Sequence, residues 1–209
     1  TGYDKIGSDL PPSSGSGEYQ PTEMKQRLLR RAFNAFGFDE AINFSFIERE
    51  TQFEPLPTLR ASGGRQPVLK NPIIEEAAFM RGTLLPGLLS SLRHNLNHGI
   101  RDVRLFEIGR VFGKEWPGEL PEERLALAAV ATGGASEANK AQAERELDFF
   151  DVKGALETAV DWMSLSPLSF SQTNASHLRP GQSARIKLND GTGIGTIGRL
   201  AESVAADYK

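Results

Sequence analysis

Between Glu23 and Phe36, apolar side chains return at helical intervals. Met24, Leu28, Ala32 and Phe36 fall on one line, with Leu29 and Phe33 beside it. That spacing predicts an amphipathic helix, opened by Pro21-Thr22 and closed by Gly37, a residue suited to a left-handed C-terminal position. The period then changes to two. Ile42, Phe44 and Phe46 alternate with Asn43 and Ser45, which predicts a half-buried strand over 41–46. Helical spacing returns with Leu85, Leu88, Leu89, Leu92 and Leu96. It predicts a helix from Thr83 or Pro86 to His98, stopped by Gly99. Proline is tolerated in a first turn because its missing amide proton costs no helical bond there.

Val103 to Phe112 reads as a strand that turns through Gly113 and Pro117-Gly118 into a second strand, Leu125 to Ala131, apolar enough to be central. Val68-Leu69-Lys70 is a short strand candidate, and 133–144 is a loop or weak helix. Asp148-Phe149-Phe150-Asp151 precedes a helix carrying Val152, Leu156, Ala159, Val160 and Met163, with Trp162 expected against the sheet. Leu168 to Ser171 and Ser183 to Leu188 alternate as strands. Asn189-Asp190-Gly191 is a strong turn signal, and Gly193 to Leu200 returns as a glycine-rich strand. Strands joined by hairpin turns, with longer helices between them, predict an α+β fold: a mainly antiparallel sheet flanked by helices. Leu10 to Gly17, with Pro11-Pro12 and a Ser/Gly run, reads as a linker. It divides 1–17, the remnant of a small preceding domain, from a main body over 18–209. Thr1 to Ile6 does not read as a natural start.

The chain has 209 residues and a formal net charge of −3. That length supports one sizeable core, and that charge argues against a dominant nucleic-acid-binding surface. With no cysteine there is no disulfide, thiolate metal site or cysteine nucleophile, which is consistent with a reducing compartment. No apolar run is long enough to span a bilayer, so no membrane partner is expected.

Candidate chemistry is sparse. His94 and His98 have the i,i+4 spacing of a zinc-binding pair, but Asn95 stands where that motif needs glutamate; two helix-end histidines are the expectation. Gly191-Thr192-Gly193-Ile194-Gly195 resembles a nucleotide loop only superficially, because no helix pattern follows it. Glu107 and Arg110 interrupt an apolar strand, and a charge inside such a strand needs a partner. They are expected to form an ion pair or occupy an edge, with a substrate cleft as the functional alternative. Arg81 can hold a carboxylate or phosphate in a bidentate pair, and Glu75 and Glu76 offer it a local partner. Thr83 is a candidate cap for the leucine helix, Asp151 for the later one, and Lys153 a candidate for pairing with a neighbouring carboxylate. The stripe Lys25, Arg27, Arg30 and Arg31 is expected to be a solvated helix face.

Six blocks in order resemble the beta subunit of bacterial phenylalanyl-tRNA synthetase. After Gly2-Tyr3-Asp4-Lys5-Ile6 with Leu10-Pro11 come Gly37 to Phe46, then Asn71-Pro72 with Glu75-Glu76 and Leu84-Leu85-Pro86-Gly87-Leu88-Leu89. Phe106-Glu107-Ile108-Gly109-Arg110-Val111-Phe112, Asp148 to Gly154 with Glu157, and Pro180 to Ala184 with Ile194 to Gly198 complete the series. The resemblance implies a class II aminoacyl-tRNA synthetase-like core without catalytic residues. It implies an alpha subunit as partner, a heterotetramer of two alpha and two beta chains, and a cytoplasmic location. ATP and Mg2+ would serve the whole ligase and be bound mainly by the alpha subunit, with no cofactor in this stretch. Contact with tRNA would belong to the whole complex and be weak or absent here. The family usually has His-Pro-Gly-Arg-Ser-Ala where this chain has Leu178 to Ala184, and Glu-Leu-His-Pro where it has Arg199-Leu200-Ala201-Glu202. Met24, Leu28, Phe36, Leu88, Leu92 and Leu96 are candidate faces toward the partner or the domain's own core, with an apolar patch expected on the helical side. Arg81, Glu107 and Arg110 are structural candidates. The rival expectation is a stand-alone, synthetase-like regulatory or small-ligand-binding protein.

Overall fold

The structure is a computed structural model that describes all residues except 1, 6, 8, 10–14, 16, 50–52, 54, 55, 58, 60–63, 137–144 and 209. Most of the expected linker and residues 137–144 of the expected loop or weak helix therefore lie outside the described residues, while Gly134–Ser136 pairs as a strand instead. After a single 3-10 turn at Tyr3–Lys5, the elements in chain order are α1 (Glu23–Ala35), β1 (Asp39–Glu40), β2 (Phe46–Ile47), β3 (Phe79–Met80), α2 (Leu85–Asn97), β4 (Val103–Phe112) and β5 (Glu123–Thr132). They are followed by β6 (Gly134–Ser136), β7 (Arg145–Glu146), α3 (Phe149–Trp162), β8 (Ser169–Gln172), β9 (Leu178–Lys187), β10 (Gly193–Leu200) and α4 (Glu202–Ala206).

Two three-stranded sheets carry the architecture, ordered β1-β4-β5 and β10-β9-β8. Strand β4 pairs antiparallel with β5 without interruption, from Val103↔Thr132 to Phe112↔Glu123. It is β4 that lies centrally and β5 that takes the edge, the reverse of the expectation from apolar content, since the small alanines of β5 are covered by helices rather than by strands on both sides. Strand β1 adds to β4 in parallel. Two-stranded ribbons, β2-β3 and β6-β7, complete the pairing. The fold is α+β, with antiparallel sheets flanked by helices.

One face of β4 and β5 packs against α1 and α3. Phe106, Phe33, Phe38, Ala32, Ala155 and Ala159 are buried together there, and Phe33 meets Phe38 edge-on at 5.4 Å between ring centroids. The alanines of α3 let the helix approach α1 closely. On the other face Leu84 and Leu88 of the α2 region lie on Val111 and Ala126, while Leu89 meets Phe53 and Val204. Each fully buried leucine contributes roughly 1.5–3 kcal/mol relative to its exposed state.

Several local expectations change. Residues 41–45 form no strand, and only Phe46–Ile47 pairs. Trp162 is 44% exposed rather than packed under the sheet. Strand β9 begins at Leu178, five residues earlier than its alternation suggests. Asp148, not Asp151, caps α3: its side chain accepts from the Phe150 and Asp151 amides, while Asp151 returns a bond to the Asp148 amide in a capping box. Thr83 Oγ1 accepts from the Leu85 amide at 3.4 Å, one residue before the N-cap position held by Leu84. Val68 contributes one isolated bridge, to Phe79.

Candidate functional site

The polar centre of the molecule is built where β3, β4, α2 and the 41–45 segment meet. Arg81, directly after β3, and Glu107, in the middle of β4, are each 3% exposed. Arg81 Nη1 donates to Glu107 Oε1 at 2.7 Å, and Arg81 Nε donates to the Arg110 carbonyl at 3.0 Å. The second carboxylate oxygen accepts from Asn43 Nδ2 at 2.7 Å, and Asn43 Oδ1 accepts from Ser91 Oγ of α2 at 2.9 Å. Four side chains from four elements thus form one chain of polar contacts, buried at Arg81 and Glu107 and half-buried at Asn43 and Ser91. Two charges removed from water are tolerable because each meets the other and further hydrogen bonds. Gly109 and Gly87 make the room: a Cβ on Gly109 would strike the Arg81 guanidinium, and one on Gly87 would lie 2.8 Å from Asn43 Cβ.

This arrangement turns the 41–45 segment inside out. Asn43 is held inward by Glu107 and Ser91, the Ala41 amide is bound to the Phe106 carbonyl at 2.7 Å, and the Ser45 carbonyl accepts from the Arg81 amide at 3.0 Å. With Asn43 inside, its alternating neighbours must face out. Ile42 is 92% and Phe44 68% exposed, with the Phe44 ring stacked on Phe46 at 4.9 Å. The period-two pattern is real, and its polarity is the opposite of the expected one. Sequence reasoning missed Asn43 and Ser91; the available signal was an asparagine within apolar alternation, a residue whose amide can complete a buried carboxylate's hydrogen bonds.

The other candidates separate. Arg110 is exposed and pairs with Glu123 at 3.4 Å rather than with Glu107. Arg81 finds Glu107, 26 residues away, and not the nearby Glu75 or Glu76, which are exposed. Arg104 donates to the carbonyls of Phe36, Gly134 and Ala135 at 2.9–3.1 Å. Leu88 is fully buried in the core, Phe36 packs at the margin of the aromatic cluster, and Leu28, Leu92 and Leu96 are half-buried. Met24 is exposed. The helical side therefore shows only part of the expected apolar patch, and the most exposed apolar pair near the polar centre lies on the 41–45 segment.

On α1, Arg27 pairs with Glu23 and Arg30 with Glu40, both at 2.9 Å, so half of the basic stripe is engaged by carboxylates. Lys153 pairs with Glu157. The His94 and His98 rings lie 4.2 Å apart, and His98 Nδ1 donates to the His94 carbonyl at 2.8 Å; among the described residues no group of three or more side chains is placed to hold a metal. Gly193 opens β10 directly after the turn, so the glycine run is hairpin and strand. At the start of α3, Arg145 bridges both oxygens of Asp151 at 2.8 and 2.6 Å. Those hydrogen bonds, with the Asp148 amide, lower the Asp151 pKa from 3.8 to about 2 against the opposing effect of burial. No helix among the described residues is long and apolar enough to cross a membrane.

The architecture has a counterpart in a solved structure of a pyrrolysyl tRNA synthetase, PylSc, from Desulfitobacterium hafniense. The two share a TM-score of 0.62 at 15% identity, over 90% of this chain and 62% of that one, a likeness of fold. Sequence relatives are nearer. The chain is 36% identical to the phenylalanine–tRNA ligase beta subunit of Geobacter sulfurreducens over 99% of its own length and 26% of the relative's. It is 37% identical to that of Burkholderia pseudomallei strain 1710b over 100% and 26%, and 35% identical to that of Ralstonia nicotianae over 95% and 24%. It thus spans about a quarter of the curated relatives it matches. The profile described as the phenylalanyl tRNA synthetase beta chain CLM domain matches residues 6–209, and the chain belongs to that family.

Proposed function

We propose that this chain is a non-catalytic, synthetase-like core that supports the catalytic alpha subunit of a phenylalanine–tRNA ligase. On this reading 18–209 is the core and 1–17 the tail of a preceding domain. The assembly holds two alpha and two beta chains in the cytoplasm and charges tRNA with phenylalanine at the expense of ATP. Magnesium and ATP would supply activation of the amino acid in the alpha subunit.

The observation that carries the reading is the engagement of the three arginines on and beside β4: Arg81, Arg104 and Arg110. Stabilising the charge that develops on a reacting phosphate needs cations aimed at an open site. Here Arg81 is neutralised by Glu107 beneath the surface, Arg104 is held by three backbone carbonyls, and Arg110 leans on Glu123. Cations so occupied fit a structural role and do not fit ATP. The outward Ile42 and Phe44 are the contact proposed for the alpha subunit, because an apolar pair backed by a buried polar clamp is stable in water only at a cost that a partner removes.

The test mixes the full-length beta chain with the alpha subunit of the same genome, reading mass by light scattering and phenylalanine-dependent tRNA charging on the same fractions. A two-plus-two species that charges tRNA, with neither chain active alone, is the expected result. A full-length beta chain that ignores the alpha subunit would overturn the reading.

A further inference from the structure

Although the chain is acidic as a whole, its segment from Leu165 to Leu200 carries four cations, Arg179, Arg185, Lys187 and Arg199, against one carboxylate, Asp190. Asp190 is committed to the β9-β10 turn, where its Oδ1 accepts from the Thr192 amide at 2.9 Å. Arg179 leans on Glu202 at 3.6 Å. The strand registers decide where the other groups point.

Pairing places Ser171, Arg185 and Thr196 side by side across β8, β9 and β10, and Ser169, Lys187 and Gly193 in the adjoining row. Directly opposed residues share a face of a sheet, as do residues two apart in a strand. Arg185 and Lys187 therefore stand on one face with Ser169, Ser171, Ser183 and Thr196. Phe170, Ala184 and Ile186 take the other face, where Lys153 of α3 sits over the Phe170 ring at 4.8 Å. Among the described residues neither Arg185 nor Lys187 has a carboxylate partner. The two cations lie about 7 Å apart along β9 and are flanked by hydroxyls on strands about 5 Å to either side.

We infer that this face of the β8-β9-β10 sheet binds the phosphodiester backbone of an RNA strand. Ser183 is committed elsewhere, its hydroxyl donating to the Thr173 carbonyl at 3.2 Å. Each cation takes one phosphate, and the hydroxyls of Ser169, Ser171 and Thr196 donate to the remaining phosphate oxygens, contacts that position a strand without reading its bases. Two half-buried cations in a row, with no carboxylate between them, suit a chain of phosphates running along the strand. The charge pattern stands on its own; the choice of RNA as the polyanion rests on the proposed role in tRNA charging.

The test uses the full-length beta chain, alone and with the alpha subunit, and measures binding of tRNA by fluorescence anisotropy over a series of salt concentrations. Arg185→Gln/Lys187→Gln and the charge reversal Arg185→Glu/Lys187→Glu are compared with the parent, and circular dichroism with light scattering checks fold and assembly. The expected result is a loss of affinity of roughly tenfold in the charge reversal and a salt slope smaller by about 1.4, the change for two phosphate contacts to a single strand. The neutral pair gives the same change in slope, and Arg185→Lys/Lys187→Arg restores it. Unchanged affinity and slope in well-folded variants overturn the inference, as does a loss of affinity with no change in slope. Because binding is also read on the beta chain alone, a failure to assemble with the alpha subunit would sink the ligase reading without deciding this one.

Discussion

Glu107 holds Arg81 in place, and Arg81 would be an isolated buried cation without it. Removing one partner of such a pair leaves an uncompensated charge, so Glu107→Ala should lower unfolding stability by about 3–5 kcal/mol in a urea titration. Glu107→Gln should cost less, because its amide can still accept from Asn43. Gly109→Ala tests the room around the pair: its new methyl meets the guanidinium and lies 3.0 Å from Glu107 Oε1, and a cost of about 1–3 kcal/mol is expected. Asp151 sets an acid limit. Its carboxyl is held at about 2 against an ordinary 3.8, so the folded state binds this proton less readily than the unfolded one. The stability it contributes is complete above about pH 4 and is lost as pH falls through about 2. Thermal midpoints from pH 5 to 2 should therefore fall less steeply in Asp151→Asn than in the parent, and parallel curves would remove Asp151 from the account.

Among the elements, the helices and the long hairpin were legible because their signals are local. The line Leu28, Ala32, Phe36, the leucines of α2 and the ten-residue β4 all declare their period within a few turns. The 41–45 segment was misread because alternation gives a spacing and not a direction. Which side faces inward was decided by Glu107, 64 residues away from Asn43, and no window of sequence contains both. The same distance hid the partner of Arg81. The α3 cap was legible in composition, with two aspartates three apart, but the roles of Asp148 and Asp151 depend on which backbone leaves the extended region. Asp148→Ala should cost about 1 kcal/mol of stability through loss of that cap, measurable as a lowered midpoint in thermal denaturation.

For the whole molecule, the family was readable from the order of short blocks, while the surfaces were not. Leu88 lies in this domain's own core, while Leu92 and Leu96 are half-buried outside the core clusters. The proposed contact with the alpha subunit moves to Ile42 and Phe44. Ile42→Asp/Phe44→Asp should leave the beta chain's own fold intact by circular dichroism, since both side chains already face water, yet prevent the two-plus-two assembly in light scattering. Assembly at parental strength would place the contact elsewhere.

The inverted 41–45 segment also bears on supply within the cell. An isoleucine and a phenylalanine held outward in this way cannot be hidden by local rearrangement without breaking the bonds from Asn43 to Glu107 and Ser91. On the proposed assembly, a newly made chain in excess of the alpha subunit would keep a sticky flag raised for chaperones and proteases. Its abundance is expected to follow the amount of whatever covers the flag, so that turnover, rather than synthesis alone, balances the two.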